Sequence, residues 1–222
     1  MNHMGQFFLK LGLAASMLLW ASIAVTPANA ASITFNFTGI VTGVGAQLGT
    51  TTFSNGQTLS GSYTFNSTTP DSNGGPTIGR YNGTISNLVV HIGSYNATLG
   101  AGTNFILVEN KAPADTYTVQ APFAGSSVNG RTPSFFAIRL ADPTQTAFNN
   151  DHLPTTPPSL ASFATKSFRL VFNGVGAATV RGVLTSLTAV PLPAAVILFG
   201  AGLIALVGLG AGSWRQRKNS LA

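Results

Sequence analysis

Apolar and polar residues alternate with a period of two along most of the middle of the chain. Ile33, Phe35 and Phe37 alternate with Thr34, Asn36 and Thr38, and Tyr63 and Phe65 with Thr64 and Asn66. The same pattern runs through Leu88, Val90 and Ile92, through Tyr117 and Val119, through Phe136, Ile138 and Leu140, and through Phe168, Leu170 and Phe172. Val180, Leu184 and Leu187 mark a last strand, and residues 105–108 form an apolar run that reads as a more buried one. Successive side chains of a strand point to opposite faces, so this alternation predicts strands with one buried and one wet face. Glycine, proline and asparagine fill the gaps, as turns require. A helical period is confined to one short turn at residues 158–163. About eight strands at this spacing predict an all-β domain, an antiparallel two-sheet sandwich of jelly-roll type. Gly61-Ser62-Tyr63, Gly79-Arg80-Tyr81 and Gly93-Ser94-Tyr95 recur near strand starts at unequal spacings, which is turn-then-strand grammar rather than a repeat.

The two ends break this pattern. Lys10 precedes an uncharged apolar stretch, residues 11–24, of 14 residues, and Pro27 ends it. That stretch is too short to span a bilayer as a helix. Ala28-Asn29-Ala30 supplies a small-x-small pattern, so residues 1–30 read as a secretory signal peptide cut after Ala30. At the other end, residues 194–212 are 19 residues without a charge. As a helix they would reach about 28 Å, close to the hydrocarbon thickness of a membrane. Arg215, Arg217 and Lys218 follow in the basic segment 213–222 and are expected to stay cytoplasmic, with Trp214 at the interface. Gly208 and Gly212 make one G-x-x-x-G spacing, which also fits a plain hydrophobic anchor.

Between these ends lie residues 31–189, enough for one domain with its own core. The chain has no cysteine, which removes disulfides, thiol catalysis and cysteine-bound metal, and points to a bacterial envelope. The sequons beginning at Asn36, Asn66, Asn82 and Asn96 then read as strand and turn residues. The net charge of +6 belongs mostly to the ends. The domain sets seven basic residues against five acidic ones, a net +2 without a run, so nucleic-acid binding is excluded.

Candidate chemistry is sparse. The nearest approach to a nucleophile elbow, Gly125-Ser126-Ser127-Val128-Asn129-Gly130, lacks the final glycine at the required place. His91 and His152 stand in no metal-binding motif, and no cofactor is expected. Asp142, Asn149, Asn150 and Asp151 offer oxygen ligands for a calcium ion, and Asp71-Ser72-Asn73-Gly74 is a second fragment of that kind. Ordinary turn chemistry accounts for both more simply, so no metal is expected. Tyr63, Tyr81, Tyr95 and Tyr117 are the residues a carbohydrate-binding module would expose, unless they belong to the core. A glycosidase would need two carboxyl groups facing each other in a cleft.

Val190-Pro191-Leu192-Pro193-Ala194-Ala195, followed by the apolar segment and the basic cluster, resembles the PEP-CTERM type of bacterial sorting signal and, more narrowly, its VPLPA variant. Leu192 stands where the commoner form has Glu. The resemblance implies that residues 190–222 are read by a membrane-embedded exosortase, a cysteine-protease-like processing enzyme. It also implies a surface or extracellular-matrix protein, without enzymatic activity, in systems that accompany exopolysaccharide production. The middle resembles the uncharacterised β-rich domains that precede such tails. Physically, Pro191 and Pro193 fix φ and lack amide protons, so the motif stays extended between the last strand and the membrane. The expected partners are therefore the membrane, the exosortase and an extracellular polysaccharide.

Overall fold

Phe35, Phe37 and Val41 project inward from β1 (Ser32–Val44), while Asn36, Ile40 and Thr42 face out. The same alternation shapes nine more strands: β2 (Thr58–Asn66), β3 (Ile78–Asn82), β4 (Ile85–Ile92), β5 (Tyr95–Leu99), β6 (Phe105–Glu109), β7 (Asp115–Gly125), β8 (Pro133–Asp142), β9 (Thr165–Phe172) and β10 (Thr179–Ala189). They come from a computed structural model that describes residues 32–174 and 178–190. The expected signal peptide, the expected sorting motif from Pro191 onward, the expected membrane segment and the basic tail lie outside the described residues. Among the described residues, helix is confined to two 3-10 turns, Ala46–Leu48 and Leu160–Ser162. The second falls where one short helical turn was expected.

The antiparallel all-β expectation holds, but the sheet closes on itself rather than folding into two layers. β7 pairs with β8, β8 with β9, β9 with β10, β10 with β1, β1 with β2 and β2 with β4. The remaining arc has two lanes, each broken once. β5 and β6 both lie along one edge of β7, at Phe123–Gly125 and at Thr116–Gln120 respectively. β4 pairs with β5 and β3 with β6. Counting each broken lane as one strand gives an eight-stranded barrel in which every neighbour is next in the chain. That up-and-down order replaces the expected jelly roll. Alternation looks the same in a sandwich and a barrel. What separates them is the pairing of the first strand with the last, which local pattern does not encode.

Particular residues make the breaks and the closure possible. Pro122 has no amide to donate and sits in β7 where β5 has ended and β6 has not begun; its carbonyl accepts from the Gly100 amide. Asn104, nearly buried, repairs the gap between the lanes. Its Oδ1 accepts from the Ile85 amide, its Nδ2 donates to the Ile85 carbonyl, and its own carbonyl accepts from Gly83. At the β1–β10 seam two irregularities, between Thr38 and Gly39 and between Val41 and Gly43, bend the strands into register. Phe168 of β9 lies opposite Gly182 of β10, with its ring against both Gly182 and Gly39. The β7–β8 hairpin turns at Asn129-Gly130, with φ of 48° and 73°. This is the left-handed pair that the twist of a two-residue hairpin favours.

The interior is a filled core. Phe35, Phe37, Tyr63, Phe65, Tyr117 and Phe136 are fully buried within it, and Phe37 stacks on Phe136 at 5.3 Å. Both mouths are stoppered by loop aromatics. At one end Phe53, from the β1–β2 loop, packs on Tyr95 and Phe172. At the other, Phe148 meets Phe163 at 5.8 Å, both from the long β8–β9 connection. β3 and β5 are the two strands that alternation alone did not reveal. Each has five residues, too few to show a period, although Tyr81 and Tyr95 of the recurring tripeptides fall in them.

Candidate functional site

β1 runs antiparallel to β10, so the start of one lies beside the finish of the other. Phe35 pairs with Ala189, and the Val190 amide still donates to the Thr34 carbonyl at 2.9 Å. Of the expected sorting motif, Val190 is the described residue; it is exposed and tied to the barrel by that bond. Because the strands alternate in direction, the same rim carries residues 67–77, 110–114 and 143–164. All five acidic residues, Asp71, Glu109, Asp115, Asp142 and Asp151, stand at this rim or in its loops.

Asp115 and Asp142 face each other across the β7–β8 ladder, and both are buried. They organise the start of the long loop. Asp142 Oδ1 accepts from the Thr144 amide at 2.8 Å and from its hydroxyl at 2.6 Å. Oδ2 accepts from the Thr146 amide and hydroxyl and from the Ala147 amide. The next amide, Phe148, donates to Asp115 Oδ2 at 3.0 Å. Asp115 Oδ1 is buried without a hydrogen-bond partner. The Thr144 hydroxyl, then the Thr146 amide, hold the Asp142 carboxyl down at about 2, against the opposing effect of burial.

This geometry answers the calcium expectation. A carboxylate has about four lone-pair sites, and five donors already address Asp142. Asn149 accepts from Asn150, and Asn150 accepts from the His152 amide. Asp151 is buried and its carbonyl accepts from Tyr81 at 3.0 Å, which ties the loop to β3. In the other fragment Asp71 Oδ1 accepts from the Asn73 and Arg80 amides. These oxygens hold backbone turns, and among the described residues no three His, Asp or Glu side chains gather as a metal site would need. The two carboxyls that do face each other, Asp115 and Asp142, are buried and accept from the loop amides of Ala147 and Phe148.

An expected outcome follows for Asp142. Its value in the folded chain lies below the unfolded 3.8. The stability it contributes is therefore present above about 3.8 and is lost as pH falls through about 2. Asp142→Asn removes the same charge at neutral pH. Exchange protection at the Thr146 and Ala147 amides should fall at least about tenfold, the scale of one charge-assisted hydrogen bond, while Val119 in the β7 ladder keeps its protection. Unchanged protection at both loop amides would contradict this role.

The four tyrosines are core residues, which removes them as a sugar-stacking surface. Tyr63 and Tyr117 are fully buried and joined by their hydroxyls at 3.0 Å. Tyr81 and Tyr95 are nearly so, and the Tyr95 hydroxyl donates to the Ser126 carbonyl. Burial pushes the Tyr95 phenol up to about 12. Tyr63 has the same parity as Phe65, and Tyr117 as Val119, so alternation already carried the signal for burial. His91 is exposed on the outer wall against Asn96 across the β4–β5 ladder, and His152 is exposed in the long loop. What sequence reasoning missed is a convergence on the wall. Arg139, Arg169 and Arg181, far apart in the chain, stand side by side on β8, β9 and β10. Compared with known proteins, the chain matches no family model, no curated protein and no solved structure.

Proposed function

We propose that this chain is an exported β-barrel protein delivered to the bacterial cell surface or extracellular matrix by a PEP-CTERM-like tail that an exosortase processes. The observation that carries this reading is the order of the tail: a Val190-Pro191-Leu192-Pro193 strip, an uncharged segment of membrane length, then Arg215, Arg217 and Lys218. Each part has a physical task. The prolines keep the strip extended, the apolar segment halts in the bilayer, and the basic residues fix its direction. The signal peptide at residues 1–30 would bring the barrel out on the same side that the tail requires. The domain then acts by presence and binding rather than by catalysis. Support for that part comes from the buried state of Asp115 and Asp142 and from the turn-forming bonds of Asp71.

The test is the intact mass of the protein recovered from the host's medium and envelope, with and without its exosortase. The expected product begins at Ala31, ends near Pro193 and occurs only when the enzyme is present. A chain that keeps Arg215 to Lys218 in both strains would make the tail a plain single-pass anchor and would overturn the sorting reading.

A further inference from the structure

Arg139, Arg169 and Arg181 are exposed on the outer wall of the barrel. Arg169 lies directly opposite Arg181 in the β9–β10 ladder, and Arg139 lies opposite Ser167 in the β8–β9 ladder. Together with Thr118, Ser167 and Thr179 they line a trough of about 460 Å³. Like charges placed directly across a ladder repel, and a folded chain gains nothing from the arrangement by itself. Arg139 is near enough to the Glu109 carboxylate to help hold its pKa down, while among the described residues the close salt bridge is Lys111 with Glu109, and Arg169 and Arg181 have no acidic partner. The Arg169 guanidinium is held over the Phe135 ring at 5.0 Å, which limits its freedom before any ligand arrives.

The chemistry of the trough selects among anions. Guanidinium groups match planar, two-oxygen anions through paired hydrogen bonds. Hydroxyls stand between them, and Ala137 and Phe168 complete the lining of the trough. Three charges across three strands, about 10 Å, are too sparse for the dense phosphate contacts of a nucleic acid. A chain of sugar acids presents carboxylates separated by hydroxyl-rich rings, which is the pattern these side chains complement. We propose that this trough binds a carboxylate-bearing polysaccharide laid across β8, β9 and β10. The inference rests on the extracellular placement given above for where such a polymer is met. It does not depend on whether the tail is cut.

The test uses the full-length chain in a non-ionic detergent, titrated with polygalacturonate, neutral dextran and duplex DNA at about 0.15 M salt, where weak surface attraction is screened. Polygalacturonate should bind saturably and dextran should not. Arg169→Gln with Arg181→Gln should weaken binding at least about tenfold, as expected for lost charge-assisted bonds. Arg169→Lys with Arg181→Lys should recover only part of it, because the charge returns without the fork. No variant should melt below the wild type, since the glutamine pair removes a cross-ladder repulsion, and Arg139→Gln provides an independent variant should the double one unfold. Absence of polygalacturonate binding by the wild type, undiminished affinity in the folded glutamine variants, or equal affinity for DNA would each overturn the proposal. None of these outcomes bears on the mass of the processed product, so either reading can fail alone.

Discussion

Gly182→Ala should lower the stability of the barrel by about 3 kcal/mol, the upper part of the usual range for overpacking. A methyl group at this position would stand 2.1 Å from the Ile40 carbonyl oxygen and 2.4 Å from the Phe168 ring. The ring could turn aside, but the carbonyl belongs to the β1 backbone at the closing seam and moves only if the seam moves. For a domain of this size the melting temperature should fall by about 6–12 °C. Gly74→Ala is the control. Nothing lies within 4 Å of the added methyl there and the backbone is unstrained, so it should be near neutral. Equal melting temperatures for the two variants would show that the seam is not packed as described.

The second large effect concerns Tyr63 and Tyr117. Their hydroxyls meet at 3.0 Å in the middle of the core. Tyr63→Phe or Tyr117→Phe alone strands the remaining hydroxyl in an apolar interior, at a cost of about 1–3 kcal/mol. Removing both together leaves no orphan, so the double variant should be more stable than the sum of the single losses implies, with a coupling of about 1 kcal/mol or more. The pair also has a pH signature. Burial, then the neighbouring Tyr117, holds the Tyr63 phenol well above the ordinary 10.0, and burial raises Tyr117 as well. Both values are raised on folding, so the stability is fully present below about 10. It is lost as pH rises above that value, because the unfolded chain releases protons the barrel retains. The double phenylalanine variant should therefore lose less stability than the wild type above pH of about 10. Additive single losses, or identical alkaline curves, would contradict the hydroxyl pair.

These sites show where local pattern was sufficient. The inward parity of Phe35 and Phe37, of Tyr63 and Phe65, and of Phe168, Leu170 and Phe172 is visible as alternation, because a strand with one dry face can hardly be written otherwise. Closure was not visible. It depends on β1 reaching β10 across the whole chain and on Asn104 and Pro122 tolerating two broken lanes, and each of these is a contact between segments far apart in sequence. The cross-ladder pairing of Asp115 with Asp142 has the same origin: register across a hairpin whose arms differ in length. The three wall arginines looked scattered because 139, 169 and 181 share no spacing. Strand register alone brings them together.

The seam between β1 and β10 also decides how the barrel carries load. A pull on the chain at Val190, directed away from the rim, runs along the axis of β10. The hydrogen bonds to β1 on one side and to β9 on the other lie across that axis. Such a force shears both ladders at once instead of peeling bonds one after another, because β10 is paired along both of its sides. The bond from Val190 to Thr34 is the first to be stressed, and the paired residues behind it share the strain. A closed meander pulled at the end of its last strand is thus a load-bearing joint, strongest along the axis of β10.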